Sequence, residues 1–149
     1  MESPFRFGLE RVRQVRAHAE EQAKEQFAAS LNQRLKGEAL LRAADARLTD
    51  ARATSVPDPG FAVSGADLVS RQAYVERLER SRQDAQHRLV GLDRQLEASR
   101  SHLAEASRGR EVLDRLRDRH HKAHKLQAER RESAALDEMA LQLFWRRTA

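Results

Sequence analysis

The 149-residue chain has no cysteine and no isoleucine, three prolines, six glycines and seven aromatic residues. Without cysteine there is no disulfide framework and no Cys-ligated zinc site. Leu, Val and Phe together number 31, about a fifth of the chain, which is close to the level at which a globular core cannot be filled. A thick interior of dinucleotide-binding size is thereby excluded. Apolar runs never approach the roughly 20 residues of a membrane-spanning helix. Residues 1–16 alternate charges with hydrophobes, where a secretory signal has a continuous apolar stretch. A soluble cytoplasmic protein is the expectation.

What the chain does contain favours helix. Ala, Glu, Lys, Leu and Arg make up 84 of the 149 residues, the composition of long helices or coiled coil. The formal charge of +5 is uneven: residues 1–107 carry 17 basic and 16 acidic groups, whereas residues 108–149 carry 11 and 7, with His120, His121 and His124 in addition. One end is therefore expected to be basic, which suits an acidic protein surface or nucleic acid. Nucleic-acid binding would need a basic stretch free of interleaved acids, and Asp114, Asp118 and Glu129 interrupt this one.

Helix-breaking residues concentrate in one place, Val56-Pro57-Asp58-Pro59-Gly60, followed by Gly65. Ser3-Pro4 reads as Ncap and N1 of a first helix. Ser64-Gly65-Ala66-Asp67 reads as a capping box that restarts a second. The spacing thus predicts helix one over about 4–54, a loop over about 55–64 and helix two over about 65–144. Counting three and four alternately from Val75 gives Val75, Leu78, Arg82, Ala85, Leu89, Leu92, Leu96, Ser99, Leu103, Ala106, Arg110 and Leu113. Nine of these twelve are apolar, a heptad seam interrupted by Arg82 and Arg110. In helix one, Ala19, Ala23, Phe27, Leu31 and Leu35 are spaced by four before Leu41, Ala44, Leu48 and Ala51 resume the heptad, and such a run should unwind the supercoil locally.

Two helices with a short connection fold back on one another. The expected fold is all-α: one domain over 1–149, a long antiparallel two-helix coiled-coil hairpin. With the turn centred near residue 60, residue i faces about 120−i, which sets Gly37 near Gln83. Some 30 residues of helix two then project as a helical overhang. A parallel homodimer through the 75–113 seam is the competing arrangement, since a heptad does not choose its partner.

Nothing in the chain looks catalytic. His120 and His124 stand four apart, but the glutamate of an H-E-x-x-H site is missing. No phosphate-cradling glycine loop occurs, and carboxylate pairs such as Glu20-Glu21 and Asp137-Glu138 fall on faces expected to be exposed. Acid–base work needs a concave, partly desolvated site, so neither enzymatic activity nor a cofactor or metal is expected. The aromatics are placed more tellingly. Phe5, Phe7, Phe144 and Trp145 lie at the termini, Phe61 and Tyr74 lie near the turn, and only Phe27 is mid-helix. Large aromatics on a thin molecule are either end packing or interface anchors.

Three segments resemble the FliJ family of flagellar export proteins. Phe5-Arg6-Phe7-Gly8-Leu9-Glu10-Arg11-Val12 resembles the family's opening. Arg71-Gln72-Ala73-Tyr74-Val75-Glu76-Arg77-Leu78 resembles its segment after the loop. Leu113–Arg119 continuing to Ala134-Ala135-Leu136-Asp137-Glu138-Met139-Ala140 resembles its closing basic helix. The resemblance implies a stalk-like coiled coil of the flagellar type III export apparatus, cytoplasmic and peripheral at the inner membrane through its partners. It implies docking into the export ATPase ring (FliI), contact with the export-gate protein FlhA, and dealings with export chaperones. On that reading Phe5, Arg6, Phe7, Arg11, Arg117, Arg119, Arg130, Arg131, Leu136 and Phe144 form the ATPase end, and Arg71, Tyr74 and Leu78 the gate end. A stalk of a virulence-type secretion system and a generic coiled-coil scaffold or nucleic-acid-binding protein are the alternatives.

Overall fold

A computed structural model describes residues 4–54, 60 and 64–148. Most of the expected loop, with Phe61, and the expected Ser3 cap lie outside the described residues. Helix α1 spans Glu10–Thr54 and helix α2 spans Gly65–Thr148; no strand occurs among the described residues. The fold is an all-α helical hairpin. Ser64 caps α2 as its sequence suggests, its hydroxyl accepting from the Ala66 amide at 3.2 Å.

The start of α1 differs from expectation. Pro4–Phe7 is not helical, and the helix opens at Glu10, whose amide donates to the Phe7 carbonyl at 3.1 Å. An extended segment turns alternate side chains to the same side. That suits Phe5-Arg6-Phe7: Phe5 is half-buried, Arg6 exposed and Phe7 buried. A helix would have set the two rings about 200° apart.

The chain divides into two compact units, Gln22–Ala104, and Met1–Glu21 with Glu105–Ala149. In the first, α1 and α2 run antiparallel, tied by Arg34–Asp93 at 3.0 Å, Asp45–Arg82, and Arg52–Glu79 at 2.6 Å. Residue i therefore faces about 127−i, not 120−i. The first two turns of α2 have no α1 residue opposite them, and residues 64–74 are all exposed. Symmetry about the prolines ignored this stagger, which is set by the carboxylate–arginine matches between the helices.

The α2 seam stands as its periodicity predicts. Each of Val75, Leu78, Arg82, Ala85, Leu89, Leu92, Leu96, Ser99 and Leu103 is partly buried, and most of them stand between exposed neighbours. The α1 seam does not follow the run of fours. Leu31 and Leu35 are 37% and 49% exposed. The covered positions are instead Ala23, Phe27, Ser30, Arg34, Gly37, Leu41, Ala44, Leu48 and Ala51, an unbroken alternation of four and three. The supercoil has no reason to unwind here. Gly37 faces Leu89 and Leu92 rather than Gln83: a Cβ placed on it would lie 2.6 Å from Leu92 Cδ1. The missing side chain lets two leucines lie against the α1 backbone.

In the second unit, α1 residues 10–21 pair with α2 from residue 105 onward, and Arg13–Asp114 at 3.3 Å gives the register. The extended Pro4–Phe7 segment continues along α2 as far as His124. The stretch of α2 beyond it, 125–148, is shorter than the overhang of about 30 residues expected. From 125 to 147 every side chain except Ala128 is exposed.

Gly37 and Gly91, both inside helices, should respond oppositely to substitution. Gly91 is exposed with nothing near its missing Cβ, so Gly91→Ala should add about 0.5–1 kcal/mol through helix propensity alone. Gly37→Leu must displace Leu92 and should cost about 1–3 kcal/mol through overpacking. Thermal denaturation followed by circular dichroism measures both; equal shifts of the same sign would deny Gly37 its packing role.

Candidate protein-binding surfaces

The unit holding both termini contains a cluster of aromatic contacts that the composition did not reveal. Phe5 meets His121 and His124 edge-on, with ring centroids 5.1 and 5.7 Å apart, and Phe7 meets His120 at 5.8 Å. Phe7 is only 8% exposed. The three histidines therefore seat the N-terminal strap. Among the described residues no three His, Cys, Asp or Glu side chains gather as a metal ion would require. The alternation Phe-x-Phe was the available signal for an extended segment, and the adjacent proline read as a helix start obscured it.

One turn further in, a chain of charge-assisted hydrogen bonds crosses between the helices. Glu20, buried at 7% exposure, accepts from Ser107 Oγ at 2.9 Å and from Arg110 Nη1 at 2.7 Å. Arg110 also donates to Asp114, which accepts from Arg13, which in turn donates to Glu10 at 2.6 Å. Arg110, an interruption of the heptad by hydrophobicity, is thus a matched member of it, as is Arg82 against Asp45. Arg13 holds the Glu10 carboxyl below the usual glutamate range by hydrogen bonding, with Arg117 adding to the pull and Asp114 opposing it. Glu20 and Asp114 hold the Arg110 guanidinium above its ordinary value, so it stays charged.

The expected ATPase-end residues fall into two groups. Phe5, Arg6, Phe7, Arg11, Arg117 and Arg119 lie where the strap and the start of α1 run along α2. Arg6, Arg11, Arg117 and Arg119 are exposed there, while Phe7 is committed to His120. Arg130, Arg131, Leu136 and Phe144 lie on the exposed distal stretch, Leu136 at 57% and Phe144 at 62%. Phe144 packs edge-on against Trp145 at 6.4 Å, and the structure does not bring it to Phe5 or Phe7. The charge also divides. Residues 108–131 carry nine basic and four acidic groups, whereas 132–145 carry three acids and no base.

In the other unit, Tyr74 is 49% exposed, with the Arg77 guanidinium 5.9 Å from its ring centre. Arg71 is exposed, while Leu78 is half-buried in the seam. No helix among the described residues is long and apolar enough to cross a membrane.

Two long paired helices with exposed aromatics and arginines define the class of the fold, a coiled-coil-like helical hairpin. The sequence matches the FliJ family, described as Flagellar FliJ protein, over residues 5–149. The chain belongs to that family, whose members are components of the flagellar export apparatus. No curated protein and no solved structure matches it.

Acid should loosen the strap end. A carboxyl whose folded pKa is depressed contributes stability that is present at neutral pH and lost as pH falls through the folded value. Glu10 thus begins to lose its contribution as the pH falls through the ordinary glutamate range, and the loss is complete only below its lowered folded value. Glu20→Ala leaves Arg110 with Asp114 alone and the Ser107 hydroxyl without its carboxylate acceptor, and should loosen the pairing of residues 10–21 with α2. Amide hydrogen exchange over residues 10–21 reports both effects; protection unchanged in Glu20→Ala would make the network ornamental.

Proposed function

We propose that the protein is a non-enzymatic stalk of the flagellar export apparatus, with its distal α2 segment docked in the export ATPase ring (FliI) and its Tyr74 face against the export gate (FlhA). The observation that carries this reading is the exposed segment itself. From Leu126 to Trp145 it presents Leu126, Leu136, Met139, Leu141, Leu143, Phe144 and Trp145, each 48% exposed or more. An isolated helix of mixed composition is only marginally stable in water, and a partner that covers it is the economical way to keep it folded. A hexameric ring offers a narrow site for such a probe. The aromatics and leucines would supply affinity, and Arg117, Arg119, Arg130 and Arg131 would steer approach to acidic loops.

The gate reading rests on less surface. Tyr74 has an exposed ring supported by Arg77, and residues 64–74 leading up to it are all exposed. Leu78 serves the seam first. A cytoplasmic location, held peripherally at the inner membrane by these two partners, follows from the same proposal. Handling of export chaperones would use surfaces along the hairpin.

Deleting residues 126–149 removes none of the cross-helix pairs or ring contacts with the strap, so the hairpin should fold. It should no longer bind or stimulate the ATPase. Charge reversal at Arg117, Arg119, Arg130 and Arg131 should slow association by roughly tenfold or more at low salt. Tyr74→Ala should weaken binding to the gate with helicity unchanged. A truncated chain that stimulates the ATPase at full strength would defeat the stalk-tip reading.

A further inference from the structure

Within the 22–104 unit a groove of about 460 Å³ opens on one side of the helix pair. Small residues make up much of its lining, Ala43 and Ala44 from α1 and Ser81 and Ala85 from α2, while Gly37 beside them is covered by Leu92. Leu40, Leu78 and Leu92 wall it, and Leu40 is 64% exposed. A lining of small side chains between two helices is the shape that admits a third helix, because its backbone can come close. The rim carries Lys36, Arg47 and Arg88 against a single carboxylate, Asp84. None of the ion pairs among the described residues uses those three cations, although Arg34, Arg42, Arg52 and Arg82 nearby are all paired. The groove therefore suits an amphipathic helix of negative charge.

The chain itself contains such a helix. Residues 132–145 hold Glu132, Asp137 and Glu138 and no basic residue. Ala134, Asp137, Glu138, Leu141 and Trp145 recur at three and four, so they share one face with acids in its middle and hydrophobes at its ends. Leu141 and Trp145 are 59% and 69% exposed. The lengths agree as well. From Ala134 to Trp145 is about 17 Å of helix, against about 15 Å from Gly37 to Arg47 and about 21 Å from Leu78 to Leu92.

We propose that residues 132–145 of a second copy of this chain dock in the groove lined by Leu40, Ala44 and Ala85. A second copy is required because Arg88 and Asp137 both lie on α2, one uninterrupted helix without proline; a single chain cannot join them without breaking it. Groove-to-groove pairing of two copies would set like charges together and is disfavoured. The contact is heterologous, tail to groove, and it uses different patches on the two partners. A face of this length is at the small end of specific interfaces, so the association is concentration-dependent rather than permanent. It holds the distal segment in reserve, covered until another partner competes for it.

The absence of native cysteine makes the test clean. Leu40→Cys and Leu141→Cys, both at exposed positions, are prepared separately in the full chain and mixed under oxidised glutathione. The mixed disulfide should form roughly tenfold faster than either symmetric one. Lys36→Glu with Arg88→Glu on the Leu40→Cys chain should suppress it. Asp137→Lys with Glu138→Lys on the Leu141→Cys chain should restore it in that mixture. Equal rates for mixed and symmetric products, or a mixed product indifferent to charge reversal, overturns the proposal. Because no ATPase or gate protein is present, the result is independent of whether the stalk reading stands.

Discussion

Everything in this protein depends on how little lies between its two helices. Among the described residues no large side chain is fully buried, and the most covered hydrophobe of all is Ala23, at 0% exposure. Of the nine α1 seam positions, six are alanine, serine, glycine or arginine and only two are leucine. At about 25 cal/mol per Å² such a seam gains modestly from burial, and small side chains cannot by themselves select a register. That selection falls to matched charges. Asp45 with Arg82, Arg34 with Asp93, and Glu20 with Arg110 each span the helices. Polar groups inside a coiled-coil seam specify pairing at a cost in stability. The molecule carries several, and the arginines can remain because their heads reach partners at the seam's edge.

The same economy explains which parts of the fold were legible in the sequence. The α2 seam was readable because leucine marks it at Leu89, Leu92, Leu96 and Leu103. The α1 seam was not, because the eye follows large hydrophobes and here they mislead. Leu31 and Leu35 face outward while Ser30, Arg34 and Gly37 face α2. Gly37 can be recognised as a seam residue only once Leu92 is known to fill its space. The register was hidden for a related reason: proline locates a turn, but the stagger of the helices on either side depends on which carboxylate meets which arginine across dozens of residues. The strap was obscured by a true statement about proline. Pro4 fits the first turn of a helix, and it fits an extended segment equally well; the Phe-x-Phe alternation that follows decides between them.

Of the residues suggested for partner binding, Arg130, Arg131, Leu136 and Tyr74 are exposed. Those chosen because they are aromatic and terminal do not behave alike. Phe7 is packed against His120, whereas Phe144 remains on the surface beside Trp145. The difference lies in what each finds next to it. The N-terminal rings have a histidine-lined length of α2 to lie on, and the C-terminal rings sit beyond the last residue that α1 or the strap reaches.

A seam of small side chains has one more consequence, which joins stability to interaction. Large residues at the floor of a two-helix coil would fill its lateral grooves, and the outer surface would then be convex. Alanine leaves it concave. Along Leu40–Ala44 the small side chains leave a lateral groove, and Lys36, Arg47 and Arg88 at its edge give it a positive charge. At the other end of α2 the absence of any covering element leaves a helix with hydrophobes and acids on one face. A protein built this sparingly cannot satisfy its apolar surface within one chain. On the reading proposed above, other helices cover that surface, and the order in which partners take the distal segment is a matter of relative affinity rather than of refolding.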